Sequence, residues 1–309
     1  TPFHILLLYF PFSLLSDPQL ARALYTLILE LALFALALLS LRLTDWEVPR
    51  YFSVLFLFFC VFNFYAFQAI MEASPVLLLG LIYAGILFAL RAEQDELAGA
   101  LMAVSLYYWE VGGPFLFLVV WWAYRERRSR VFAGLGMITF ALLAVSFLVY
   151  PNWLIPFFRA GMNNLRADFG FSTHEIFFHL FPFQNGIYAW IFIGILIIAL
   201  GYEWNAALTS DYRRFYWAAC LSLAAAPLLG FRSEMEHLSV LIIPFALIFA
   251  VVHDRWSSIG NWFTPLLLLI IFSVPWVLFF FALPLFGEIT KEIIFLFLPS
   301  ITVVGLYWI

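Results

Sequence analysis

Residues 215–252 read FYWAACLSLAAAPLLG, then FRSEMEH, then LSVLIIPFALIFAVV. Two apolar runs of helix length flank a segment in which Arg232, Glu234, Glu236 and His237 fall within six residues. Charged groups are expensive inside hydrocarbon, so the pattern places two membrane helices on either side of a turn at a membrane–water boundary. That turn reads as one wall of a wet pocket. A solvated connection between two helices would show the same pattern, and spacing alone leaves both readings open.

The composition extends this reading to the whole chain. Of 309 residues 65% are hydrophobic and only 11% charged, with a mean hydropathy of +1.01. Soluble domains carry about 25% charged residues, so an aqueous globule is excluded. Apolar runs of helix length, rather than alternating ten-residue segments, argue against a β-barrel. The expected fold is an all-α, polytopic transmembrane bundle, a single domain over residues 1–309. No basic tract offers a nucleic-acid surface. Cys60 and Cys220 lie in apolar runs without redox or metal spacing and read as buried thiols.

In chain order, Pro2–Ser16 is short and broken by prolines, as an interfacial half-helix would be. Spans are predicted over Leu20–Leu41, Tyr51–Gln68, Val76–Leu90, Val131–Val149, Gly186–Leu200, Phe215–Leu229, Leu238–Val252, Thr264–Leu283 and Ile293–Ile309. Leu97–Trp109 and Pro114–Tyr124 are separated by EVGG, which predicts a short helical hairpin with its tip at Trp109–Pro114. The total is about eleven spans.

Lys and Arg in short loops set orientation. With RERRSR (125–130) in the cytoplasm, alternation puts Arg42, Arg50, Arg91, Arg125, Arg127, Arg128, Arg130, Arg213, Arg214 and Arg255 inside. Arg22, Arg159, Arg166, Arg232 and Lys291 fall outside, a ratio of ten to five in favour of this topology. The outer face then collects Glu72, Glu110, Glu234, Glu236, His237 and the long loop Tyr150–Asn185, and a site is expected there. Carboxylates with an imidazole suit acid/base work, and Arg232 suits bidentate grip of a phosphate. Arg159 and Arg166, seven apart, would share a helix face able to hold a lipid phosphate or simply to snorkel. His174 and His179 are five apart, which is not the zinc-helix spacing, and no metal site is expected. Glu30, in mid-span, is either functional or hydrogen-bonded to another helix.

The order of these features resembles glycosyltransferase family 87, polyprenol-phosphate-sugar-dependent enzymes of the GT-C class. TPFHILLLYFPFSLL (1–15) is similar to the family's proline-rich stretch after the first outer loop. FQAIMEASP (67–75) through RERR (125–128) is similar to its hairpin region, and YPNWLIPFFRAG (150–161) to its aromatic outer loop. RSEMEHLSVLIIP (232–244) is similar to S-P-x-S-W-E-H-H-x-x-x-L-x-x-P. The departures are Met71-Glu72 near the family's Gly-Gln, Trp109 or Glu110 at its lysine, and Leu238 at its second histidine.

The resemblance implies a GT-C-like bundle and inverting transfer of a sugar, with mannose a candidate, from a polyprenyl-phosphate donor to a lipid or glycan acceptor. No cofactor or obligatory metal is implied. It assigns His237 and Glu236 supporting catalytic roles, and places the main catalytic carboxylate on a first outer loop upstream of Thr1. The chain is thus expected to lack the family's first span and first outer loop. Arg232, Arg159, Arg166, Glu234, Glu72 and Glu110 are the substrate-binding candidates from charge and side. The expected location is a prokaryotic plasma membrane, with the active face outside. Two alternatives stand beside the enzyme: a non-catalytic homologue that binds lipid or joins a membrane complex, and a transporter of lipid-linked sugar.

Overall fold

The computed structural model describes residues 9–45, 49–156, 158–159, 171–180, 186–208, 210–256 and 260–309. Among these residues the secondary structure is helical, and one isolated antiparallel bridge pairs Phe171 with Ser233. The helices are α1 (Pro18–Leu43), α2 (Arg50–Val61), α3 (Phe64–Met71), α4 (Val76–Arg91), α5 (Asp95–Ser105), α6 (Trp109–Arg125) and α7 (Ser129–Val149). They continue with α8 (Thr173–Leu180), α9 (Ile187–Ala207), α10 (Tyr212–Ala225), α11 (Ile242–Arg255), α12 (Gly260–Val277) and α13 (Glu288–Trp308). A 3-10 segment, Met235–Leu241, leads directly into α11.

Local chemistry sets the boundaries. Asp17 caps α1 by accepting from the Gln19 N–H at 2.8 Å, with Pro18 at the first helical position. Asn63 does the same for α3 through the Tyr65 N–H, and the axis bends there by 48° from α2 to α3. The predicted Tyr51–Gln68 span is therefore a broken one.

By length and composition, six helical stretches could each cross a membrane: Pro18–Leu43, Ser129–Val149, Ile187–Ala207, Met235–Arg255, Trp262–Phe286 and Ile289–Trp308. The bent pair α2–α3 would make a seventh. The expectation of about eleven counts apolar runs, and several of these runs are too short. The 16 residues of α4 reach only about 24 Å. The 14-residue α10 is apolar because it is buried nearly all round, from Phe215 to Ala225. A helix inside a bundle needs no polar face, so its sequence looks like a span whether or not it crosses. The Met235–Arg255 stretch is 78% buried, against 17–44% for the other five, and is the centre of the bundle.

The hairpin tip requires correction. Trp109–Arg125 is one continuous helix with Pro114 inside it, and the chain reverses earlier, at the 3-10 turn Leu106–Tyr108. Gly112 is a packing residue, not a break: a Cβ there would lie 2.2 Å from the Tyr83 hydroxyl. Pro114 falls in the second turn, where it removes only the bond to the Glu110 carbonyl. After α6, α7 crosses α5 at backbone contact: a Cβ on Gly99 would meet the Val131 carbonyl oxygen at 2.0 Å, and one on Gly134 the Glu96 oxygen at 2.1 Å.

Contacts sort the helix ends into two sets. At one end Arg91 bonds Asp45 and the carbonyls of Arg42 and Leu43, Arg128 bonds Asp95, and the Tyr212 hydroxyl donates to the Leu87 carbonyl at 2.6 Å. At the other end Arg22 reaches the Met71 carbonyl, Tyr108 meets His237, and Trp109 meets Phe231. Loops that alternation assigns to one side do gather at one end. Of the N-terminal half-helix, residues 1–8 lie outside the described residues; in the rest, Tyr9 and Phe12 pack on Tyr25 at 5.2 and 5.3 Å.

Candidate functional site

The site forms where α10 ends and the central helix begins. Gly230, with φ +87°, turns the chain after Leu229. Ser233 then pairs its backbone in both directions with Phe171, at 2.7 and 2.9 Å. This bridge ties the long loop to the turn. Glu234 caps the following 3-10 segment: its carboxylate accepts from the His237 N–H, and its own N–H donates to His237 Nδ1 at 3.2 Å. The capping geometry folds Glu234, Glu236 and His237 together, with ligating atoms all within 4.8 Å of one another. Glu234 is exposed, His237 half-buried and Glu236 buried at 4% exposure.

Two further carboxylates arrive from other elements. Glu72 follows the last turn of α3 and Glu110 stands in the first turn of α6; both lie within electrostatic range of Glu234. Partial burial, then the charge of Glu234, push the Glu72 carboxyl above the ordinary carboxylate range. The Glu234 and Glu236 carboxyls stand beside each other, so like charge is crowded at this turn.

His237 has a fixed tautomer. Nδ1 accepts a backbone N–H, so in the neutral ring Nε2 carries the proton and is a donor. A histidine that ligates a metal normally donates from its other nitrogen, the reverse of this pattern. A cation here would therefore meet the carboxylate oxygens of Glu234 and Glu236 before the imidazole. The ring packs edge-on to Tyr108, with centroids 5.9 Å apart.

Two spaces open at this site. A small pocket of about 10 Å³, the size of one water, is bounded by Glu110, His237 and Ser233 among apolar neighbours. The Ser233 hydroxyl is buried at 2% exposure and has no protein hydrogen-bond partner. Beside it runs an open apolar groove of about 350 Å³ between α6 and α9, lined by Trp109, Pro114, Phe117, Leu200, Trp204 and Phe231. Trp109 and Phe231, 4.7 Å apart, form its head and are the sequence neighbours of Glu110 and Arg232.

Of the residues singled out from sequence, the structure gathers Glu72, Glu110, Glu234, Glu236 and His237, with the half-buried Arg232 adjoining on the turn. Arg159 is exposed and makes no hydrogen bond or ion pair with this cluster; Arg166 lies outside the described residues. His174 packs on Trp190, and His179 pairs with Glu292, apart from the cluster. Glu30 faces outward from α1 and lines no internal path. Arg22, Ser233 and Tyr108 were not foreseen as site residues. Only Arg22 left a signal, its place on the acidic side of the charge tally.

No protein-family model matches this chain, and neither a curated protein nor a solved structure does.

Proposed function

We propose that the protein is a membrane glycosyltransferase of GT-C type, moving a sugar from a polyprenyl-phosphate donor to a hydroxyl acceptor. The observation that carries this reading is the junction of an apolar groove with a carboxylate–imidazole cluster at one end of the bundle. A lipid chain fits the aromatic groove, and its head then falls beside Glu110, His237 and Arg232. The resemblance of residues 232–244 to the family motif supports the same assignment.

In this reading the acceptor oxygen attacks the sugar's anomeric carbon. The bond from that carbon to the phosphate oxygen breaks, and polyprenyl phosphate leaves with the electron pair. The acceptor proton passes to Glu110, the carboxylate that borders the cavity beside the groove head. His237 donates from Nε2 to the reacting groups, Glu234 and Glu236 hold His237 in place, and Arg232 with Arg22 balances the phosphate charge. In this reading, supported by the positive-inside bias, this end faces outward and the membrane is a plasma membrane.

The test is transfer in liposomes from polyprenyl-phosphate mannose or glucose, read as release of polyprenyl phosphate. Turnover by the wild type that falls about a thousandfold in Glu110→Gln supports the proposal. Saturable binding of polyprenyl phosphate without turnover would move the assignment to the non-catalytic, lipid-binding homologue. Neither binding nor turnover would remove it.

A further inference from the structure

Glu30 is the thirteenth of the 26 residues of α1, about 18 Å from either end. Its side chain is too short to reach a membrane surface from there. It is exposed, and it makes no hydrogen bond or ion pair with any described residue. The buried residues of α1 cover the adjoining face: Leu29, Leu33 and Leu36 lie to one side of Glu30 and Ala37 is seven residues on, so Glu30 stands at the border between the buried and the exposed face. A carboxyl group held in hydrocarbon without a partner is strongly unfavourable, so something must cover it.

The surroundings say what. Leu20, Ala23, Leu27, Glu30 and Phe34 are all exposed and recur at intervals of three and four residues. This is the seam spacing of a helix that packs along another helix, with one polar position that fixes register. No basic residue stands at mid-depth in α1 to supply an ion pair. A carboxylic acid offers both a donor and an acceptor, and so complements a second one. Two copies of a membrane protein share one orientation, and a two-fold axis along the membrane normal brings residue 30 of one against residue 30 of the other at equal depth.

We propose that the Leu20–Phe34 seam of α1 is a homodimer interface, with the two Glu30 carboxyls hydrogen-bonded across it. This holds whether or not the chain transfers sugars. The experiment uses the full chain in liposomes. Ala23→Cys, Leu27→Cys and Phe34→Cys are oxidised in turn, with Ile28→Cys as the off-seam control. The two native thiols are fully buried and do not compete. Cross-linked dimer from the three seam positions, and little from position 28, is expected.

Dilution of fluorescently labelled protein into excess lipid gives the dimer dissociation constant. Glu30→Leu should weaken it about tenfold, the loss of the interhelical hydrogen bonds. Glu30→Gln, which keeps donor and acceptor, should stay near wild type. Wild-type protein that remains monomeric in lipid, equal cross-linking at positions 27 and 28, or a Glu30→Leu variant that dimerises like wild type would each overturn the proposal.

Discussion

Where α4 turns into α5, Arg128 lies 3.0 Å from Asp95, 3.2 Å from the Leu90 carbonyl and stacked over Trp122; Arg91 holds Asp45, and Arg214 holds Glu203. At the opposite end, Glu72, Glu110, Glu234 and Glu236 lie within electrostatic range of one another. The first end pairs three of its arginines with carboxylates, which contributes to stability. The second places like charges together, an unfavourable arrangement that clusters at functional sites. This contrast in how charge is arranged makes the acidic end the candidate site.

The sharpest break of this contrast is a pair of neutralisations. Glu110→Gln should lower sugar transfer about a thousandfold while leaving the unfolding midpoint equal or raised, because a repelling charge is gone. A midpoint that drops with the activity would make Glu110 structural. At the other end Arg128→Ala should lower stability by about 2 kcal/mol, since Asp95 is left only 14% exposed without its partner. Turnover per folded molecule should not change. A smaller effect isolates the crowding itself. Glu234→Gln removes a charge that holds Glu72 up, so the Glu72 carboxyl should titrate closer to the ordinary carboxylate range, read by infrared carbonyl bands. An unmoved Glu72 would mean that burial alone sets it.

The division into two ends was legible in the sequence, because alternating apolar runs with short loops leave little freedom. It survived the misplaced hairpin tip: moving the reversal from Trp109–Pro114 to Leu106–Tyr108 leaves Glu110 and Arg125 at opposite ends of one helix. The turn at 232–237 was legible because its four ionisable residues fall within six positions. What could not be read was the meeting of Glu72 and Glu110 with Glu234, which depends on how three helix ends pack. Nor could a one-dimensional pattern say that α10 is interior, or that Glu30 looks outward. In helices apolar on every side, only neighbours decide which face is buried. The groove was invisible for the same reason: Trp109, Phe117 and Trp204 stand on two helices distant in sequence, and only their packing brings them to one surface.

The faintest expected effect concerns the strap over the acidic end. His179 Nδ1 of α8 lies 2.5 Å from Glu292 Oε1 of α13, and this hydrogen bond, then the carboxylate charge, raise the His179 pKa above its ordinary value. A pair of this kind contributes fully below the unfolded histidine value, about 6.5, and is lost as pH rises through the raised folded value. α8 follows directly on Phe171, whose bridge to Ser233 steadies the Glu234 turn. Raising the pH should therefore loosen α8 first. Hydrogen exchange at residues 173–180, corrected for the intrinsic rate, should rise between about pH 6 and pH 9 in the wild type and stay flat in His179→Gln. His179 is 51% exposed, so solvent screens the pair and the change will be slight. A wild type as flat as the variant would leave the strap held by Thr173, whose hydroxyl donates to the Leu228 carbonyl at 3.0 Å, and would make the acidic end independent of pH at its roof.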